Sequence, residues 1–516
     1  MSERADGPHL RLVLPHQLFE EHLDRRRVPE GTVFVLLEHD LMFRQYRFHR
    51  QKLVLHRASM RRFADRLREA GFEVEQVDTD GRTTSRAALA RLVERRRPSR
   101  VTAYDVVDDW LSQDLTGALA DGGYELSADD VLESPNFLTT RQEIADFFDG
   151  SSGPRGRRAR MQHFYSWQRR RLDVLVDADG EPEGGRWSFD DENRRKLPKG
   201  HDVPTVGHLD RLGPGGERHE HVTEAIEWVK RAFPDNPGDA DAFAWPTDHA
   251  EAAAAYDDFL VDRFEEFGPF EDAISTEHRF LFHSMLTPGL NVGLIDPRDV
   301  LERALEHARE HDVPLNSLEG FVRQVVGWRE YMRAAYVLWG RRLRSRNHLE
   351  HARPLAPGWW TAETGLDPVD RSLRTVLETG WAHHIERLMV FGNAMCLLRT
   401  DPDAAYEWFM EMFVDAYDWV MVPNVYAMSL FAAGEAITTK PYVSGSNYLR
   451  KMSDLPTGEW TDDWDALYWT FVRDHHDVFT GNARSHFVTS AYDRMDASKK
   501  AAHTRRAARW LEGEQG

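Results

Sequence analysis

Cysteine is almost missing from this chain: Cys396 is the single one among 516 residues. One thiol excludes an internal disulfide, a cysteine-rich zinc site and a four-cysteine iron–sulfur cluster. Set in GNAMCLL, it reads as a small buried hydrophobe. No run of about 18 uninterrupted apolar residues occurs, so no membrane span is expected. The opening MSERADGPHLRLVLPHQL carries no cleavable signal pattern, and the expectation is a soluble, cytoplasmic protein. Internal repeats and the Gly-x-Gly-x-x-Gly fingerprint of dinucleotide-binding turns are also absent. Lysine is scarce among the 66 basic residues, which 86 acids outnumber to give a net charge of −20. That balance excludes a generally basic nucleic-acid coat and suits a halophilic source.

Bulky aromatic surface is plentiful, with 16 Trp and 41% hydrophobic residues, so the chain must fold; its length predicts two or three domains. Arginine is locally dense in 155–171 and 340–353, which would let one face of an acidic protein hold DNA. LRLVLPHQL (10–18), GTVFVLLEH (31–39), FEVEQVDTD (72–80) and SRVTAYDVVD (99–108) read as strands. Helical patterns lie between them, so a doubly wound parallel sheet is predicted over 1–135. Pro15, His16, Gln17 and Glu38 fall at the carboxyl ends of strands, where such sheets bind ligands. The segment 136–244 is rich in Gly, Pro, Arg and Asp and reads as an irregular connector. From 245 to 516 helical periodicity dominates. The predicted architecture is an α/β domain joined to a large all-α domain.

GWAHHIERLMVFGN (380–393) sets His383 beside His384 within a helical, mostly apolar run. Neighbours on a helix point about 100° apart, so one imidazole can face the interior while the other turns along the flank.

That stretch does not stand alone. It occurs in order with FGPFEDAI (267–274), LFHSMLTPGLNVGLIDP (281–297), SLEGFVRQVVGWREYMR (317–333), DAYDWVMVPNVYAMS (415–429) and TTKPYVSGSNYLRKMSD (438–454). With HRQKLVLHRASMRRFA and GGRWSFDDENRRK in the first half, the sequence resembles the photolyase–cryptochrome superfamily over nearly its whole length. The nearest pattern is the prokaryotic iron–sulfur (6-4) photolyase and cryptochrome branch. The resemblance implies FAD inside the helical domain and an antenna chromophore, typically a ribityl-lumazine, near the sheet. It implies a monomer that repairs (6-4) photoproducts in UV-damaged DNA by electron transfer from photoexcited reduced flavin to a flipped-out lesion. A blue-light-sensing cryptochrome without repair is the alternative, and a flavin-containing binding module without photochemistry is a third.

The same resemblance assigns residues. His384 is the lesion-facing acid and His383 its support, since imidazole holds or releases a proton near neutrality. Tyr442, Tyr448 and Asp272 line the lesion pocket, and Asp190 is the acid near a Mg²⁺ ion. Glu319, Arg323, Trp328, Arg329, Asn393, Asp415, Asn424 and His283 form the flavin site, arginine being suited to pyrophosphate. Pro15, His16, Gln17 and Glu38 hold the antenna. Trp360, Trp408 and Tyr417 relay electrons, although Phe409 stands where the branch tends to place a tyrosine. TGLDPVDRSL (364–373) and MSDLPTGEWTDDWDALYW (452–469) lack the branch's cluster cysteines, so no iron–sulfur cluster is expected. Met421 replaces an acid usual in the branch, which weighs against repair but not against flavin binding.

Overall fold

The computed structural model describes residues 7–148, 160–481 and 485–512. Arg155, Arg157 and Arg158 of the first arginine-dense stretch lie outside the described residues. Five parallel strands form one sheet in the order β3-β2-β1-β4-β5. They are β1 (His9–Val13), β2 (Thr32–Leu37), β3 (Glu73–Val77), β4 (Arg100–Tyr104) and β5 (Val131–Leu132). The first four lie within or beside the runs read from the sequence, while β5 is too short to carry a pattern.

Sequence and position agree strand by strand. β2, TVFVLL, is buried throughout, as a parallel strand covered on both faces must be. β3, EVEQV, sits at the edge and keeps its charges, with Glu75 taking Arg95 and Arg96. β1 pairs with β2 (Leu10↔Val33) and with β4 (Leu10↔Val101), so the strand order reverses beside it. Pro15, His16 and Gln17 leave β1 at that switch point.

The helix Arg50–Glu69 joins β2 to β3 and lies between the sheet and the rest of the chain, with residues of nearly every face buried. Lys52 Nζ donates to the Ala416 carbonyl at 2.5 Å, and burial pushes its pKa down to about 7. His56 Nε2 lies 2.8 Å from the Tyr417 hydroxyl, and Arg62 donates to Thr247 Oγ1 at 2.7 Å.

The segment expected to be an irregular connector is partly helical, with Met161–Leu172, Gly207–Leu212 and Glu220–Ala232. Its Gly and Pro residues hide short helices from a composition-based reading. In the last of them Val222, Ala225, Ile226 and Val229 form a buried stripe, and this helix packs on Arg50–Glu69.

In the helical half, three stretches among the described residues are π-helical: Arg323–Arg329, Glu386–Gly392 and Val422–Ser429. Such turns are rare and collect at functional sites. No helix among the described residues is long and apolar enough to cross a membrane.

Candidate active site

The three π-helical stretches converge on one cavity of about 1140 Å³. A pocket for one small molecule typically measures roughly 300–1,000 Å³, so this one has room for a large cofactor and more. Arg323, Trp328 and Arg329 line it from the first stretch, Arg387 and Met389 from the second, Asn424 and Met428 from the third. Loops bring His283, His383, Asp272, Asp415 and Tyr442 to the same wall, joined by His384 and Asp190 at the starts of helical turns and by Tyr448 on the helix Ser446–Met452.

The paired imidazoles stand at a helix start rather than inside a helix. The helix Asp367–Thr379 ends at Gly380, whose φ of 67° and close approach to Val414 both require glycine. His383 then precedes the next helical turn. Its side chain is 2% exposed and stacks on His283, with centroids 4.6 Å apart and planes 14° apart. His384 turns edge-on at 70°, is 44% exposed and faces the cavity.

Carboxylates then divide the imidazoles. His384 Nε2 lies 3.2 Å from Asp272 Oδ1, and Arg194 Nε lies 3.8 Å from the other Asp272 oxygen. Arg194 also pairs with Asp190, so two acids far apart in sequence share one guanidinium. His383 Nε2 lies 3.4 Å from Glu386 Oε2, whose partner oxygen accepts the Ser372 hydroxyl at 2.7 Å. Burial pushes the Glu386 carboxyl up to about 7. Burial also holds the His283 and His383 pKa values well below the ordinary imidazole range. For His384 burial acts the same way, but the Asp272 hydrogen bond and charge outweigh it and raise the pKa. Of the three rings, His384 is the one poised to carry a proton near neutrality.

Ligand atoms of His283, His383 and His384 come within 4.8 Å of one another. The 14° stacking of the first two sets their lone pairs in nearly parallel planes, which do not converge on one ion with Zn–N bonds of roughly 2.0–2.1 Å. The geometry is that of a proton-handling group, not of a preformed metal centre.

Also on the cavity wall, Arg329 donates to the Asn136 carbonyl at 2.6 Å and lies over Phe137 and Trp419. Its Nε and Nη2 are buried without a partner, and burial pushes its pKa down to about 10. The Asp415 carboxylate takes both terminal nitrogens of Arg387, at 2.8 and 3.0 Å, and the Thr287 hydroxyl at 2.5 Å. Asn424 Nδ2 donates to the Val420 carbonyl at 2.8 Å. Two residues expected in the flavin site support the wall from behind instead. Glu319 accepts the Tyr165 hydroxyl at 2.9 Å, the Phe189 amide at 2.8 Å and a contact from Arg323 Nε at 3.4 Å. Asn393 donates to Ser444 Oγ at 3.0 Å. Both are fully buried because these bonds leave no free polar atom worth exposing.

Pro15, His16, Gln17 and Glu38 lie just past the carboxyl ends of β1 and β2, outside this cavity. Gln17 donates to the Tyr104 carbonyl at 2.9 Å, and Glu38 takes Arg57 at 2.9 Å and the Thr79 amide at 3.0 Å. Trp408 is buried one ring behind the cavity, Trp360 is half-buried, and Tyr417 is buried against His56. Tyr417 therefore has no surface outlet of its own.

Several arginines of the dense stretches are taken up by the fold itself, while Arg170, Arg341 and Arg342 stay exposed. Arg169 is 1% exposed and donates to the Val174 and Trp187 carbonyls, while Arg171 binds Glu143 at 2.8 Å. Arg344 binds Asp418 at 2.5 Å, and Arg353 donates to the Trp510 carbonyl at 2.8 Å. Besides Arg323, Arg329 and Arg387, the basic groups that line the cavity are Arg194, Lys440 and Lys451. Sequence reasoning also missed Glu386, Arg387 and Glu271, a buried carboxylate on the cavity wall that takes Arg323 at 3.1 Å and Asn193 at 2.7 Å. Glu386 stands three residues after His383, a spacing that was available as a signal. Cys396 is buried, and burial pushes its thiol up to about 12.

Comparison with known proteins fits this geometry. Residues 11–245 match the family of deoxyribodipyrimidine photo-lyase-related proteins, and residues 321–464 match the FAD binding domain of DNA photolyase. The sequence is 32% identical to a (6-4) photolyase of Agrobacterium fabrum over 472 residues, 89% of this chain and 90% of the relative. The fold is similar to that of a bacterial class III photolyase from Agrobacterium tumefaciens, with a TM-score of 0.56, 17% identity and 98% of both chains covered. It is also similar to a Synechocystis sp. PCC6803 cryptochrome, with a TM-score of 0.55, 13% identity and 96% and 93% of the two chains covered. The parallel sheet joined to a helical half is the fold this chain shares with those photolyase and cryptochrome structures. The chain belongs to that superfamily, in the (6-4) photolyase-like branch of deoxyribodipyrimidine photolyase-related proteins.

Proposed function

We propose that the protein uses light to repair (6-4) pyrimidine photoproducts in DNA with reduced FAD as electron donor. The observation that carries this reading is the His384–Asp272 pair facing the cavity: an imidazole held ready to carry a proton where a flipped-out base would enter. The cavity fits FAD in size, and the unpartnered nitrogens of Arg329 fit an anion such as pyrophosphate. Arg329 would hold the phosphates, Arg323 being already taken up by Glu271, Glu319 and Asp190, and Asn424 with the Arg387–Asp415 pair would face the ring. When bound, reduced FAD supplies the light-excited electron. His384 gives its proton to the departing hydroxyl while Asp272 holds the ring in place. His383, kept neutral and stacked on His283, fixes that orientation. Tyr442 and Tyr448 offer rings for stacking the lesion. Lys440, Lys451 and Arg194 meet the phosphates on either side, in place of the arginines first expected there.

Asp190 already pairs with Arg194 and Arg323, so a Mg²⁺ ion there would compete with two guanidinium groups. The antenna, a ribityl-lumazine in this reading, belongs at Pro15, His16, Gln17 and Glu38. One cysteine cannot ligate an iron–sulfur cluster, and no step is assigned to one. The protein acts as a cytoplasmic monomer on this reading. A specific observation favours a second one: Met421 lines the cavity where the branch carries an acid, as in a cryptochrome that signals without repair.

The test is illumination of the reduced, flavin-loaded protein with (6-4)-damaged oligonucleotide, reading restored bases by chromatography. His384→Ala should keep flavin and DNA binding yet lose about 10²–10⁴-fold in repair, the usual contribution of a positioned acid. Repair within a factor of about two of wild type would exclude His384 as the acid. A wild type that photoreduces and restores no bases is the cryptochrome.

A further inference from the structure

With FAD in the cavity, as the proposal above requires, an oxidised flavin must be refilled with electrons through the protein. Phe409 lines the cavity and touches Trp408, with centroids 5.0 Å apart, but a phenyl ring is hard to oxidise and has no acidic proton. Another indole occupies the next position outward. Trp359 is buried and meets Trp408 edge to face at 5.5 Å, and Trp408 Nε1 donates to the Trp359 carbonyl at 3.0 Å. Trp360 follows in the same short turn, Pro357–Trp360, and is half-buried. Its Nε1–H donates to Glu411 Oε2 at 2.6 Å. The other Glu411 oxygen takes the Arg47 amide at 3.0 Å, with the Arg47 guanidinium 3.7 Å away. That guanidinium also stands 5.7 Å from the centre of the Trp360 ring.

We propose that, in the relay the resemblance implies from Trp360 to Trp408 and the flavin, Trp359 is the intermediate carrier and Glu411 takes the Trp360 indole proton. One electron leaves Trp360 toward the photoexcited oxidised flavin. The Trp360 N–H bond then breaks, and its proton goes to Glu411, giving a carboxylic acid and a neutral indolyl radical. A soluble thiolate returns one electron to the ring, Glu411 returns the proton, and tryptophan is restored.

The neighbours bear on that proton step in both directions. An oxidised indole is a far stronger acid than a neutral one, and the short bond to a carboxylate is already aligned for transfer. Burial raises the proton affinity of Glu411, opposed by the bonds from Trp360 and Arg47, while nearby Glu407 adds to it. The Arg47 charge beside the ring disfavours a cationic radical and so favours proton loss. Once neutral, Trp360 cannot take its electron back from the flavin without recovering a proton, which prolongs charge separation.

Flash photolysis of the oxidised, flavin-loaded protein distinguishes cationic from neutral tryptophan radicals by their visible bands. Wild type should form the neutral radical, more slowly in D₂O. Glu411→Gln retains an oxygen for the indole hydrogen bond but no carboxylate to protonate. It should keep its flavin and its cationic signal and lose the neutral one. Trp359→Phe should lose the neutral radical because the hole no longer reaches Trp360. A neutral radical of wild-type yield and rate in Glu411→Gln overturns the role of Glu411, and the same result in Trp359→Phe overturns the route. A flavin-loaded wild type with no tryptophan radical at all overturns the relay, whereas a wild type that binds no FAD overturns the function proposed above.

Discussion

Arg57 in the sheet half and Arg329 in the helical half are both buried arginines lying over aromatic rings, 4.1 Å above Trp228 and 4.6 Å above Phe137. They differ in what their nitrogens meet. Arg57 reaches both oxygens of Glu38, at 2.9 and 3.1 Å, and both oxygens of Glu224. Arg329 has one carbonyl and a carboxylate 3.6 Å away in Glu330, with two nitrogens left unpartnered. A buried charge is tolerated when hydrogen-bonded partners surround it and is costly when they do not. Arg57 is therefore complete within the folded chain, whereas Arg329, on the cavity wall, is completed by an anion from outside.

That contrast can be broken at either end. Glu38→Ala should act on stability: removing one partner from a buried pair costs about 3–5 kcal/mol, read by denaturant unfolding, with flavin absorption unchanged. A flavin defect with intact stability would reverse the assignment. Arg329→Met should do the opposite. It removes hydrogen bonds from a charged group, about 1.5–3 kcal/mol, and flavin affinity should fall about 10–150-fold in equilibrium dialysis while the flavin-free protein unfolds no more easily.

The smallest effect is a displacement in pH. The raised pKa of His384 means its acid form is present below that value and lost as pH rises through it, so repair should fall on the alkaline side. The stability contributed by the His384–Asp272 pair follows the same sign, full at low pH and lost as pH rises through the folded value. Asp272→Asn removes the charge that opposes burial, so the alkaline limb of the pH–repair profile should move to lower pH. An unmoved limb would mean that another group sets it.

Legibility in the sequence follows the same divide. The apolar run of β2 announces a buried parallel strand because burial on both faces leaves no polar alternation, whereas β1 keeps Arg11 buried by giving it Thr102 Oγ1. His383 and His384 were legible as a pair with two orientations, although the turn at Gly380 places them at a helix start. Asp190 and Asp272 could be named singly, but the guanidinium of Arg194 that joins them is a product of the fold. Arg169 was misread because a basic helix face looks the same whether it meets phosphate or the protein's own carbonyls. Glu319 and Asn393 carried the right chemistry one layer too deep, since periodicity reports which side of a helix is buried and not what lies against it. Trp359 carries no signal apart from its neighbour, and only the 5.5 Å contact with Trp408 singles it out.

The helix Arg50–Glu69 sets a rule for recombination between relatives. Its charges are answered from far along the chain: Arg57 by Glu224, and Arg62 by Asp248 and Glu251. A chimera cut at residue 135 would hand this helix a foreign set of partners on the face opposite the sheet. A cut after the helix His249–Asp262 carries those three acids along with it. The exchangeable piece is thus larger than the sheet, and even then Lys52 and His56 meet Ala416 and Tyr417 across the cut, because this helix belongs to both halves.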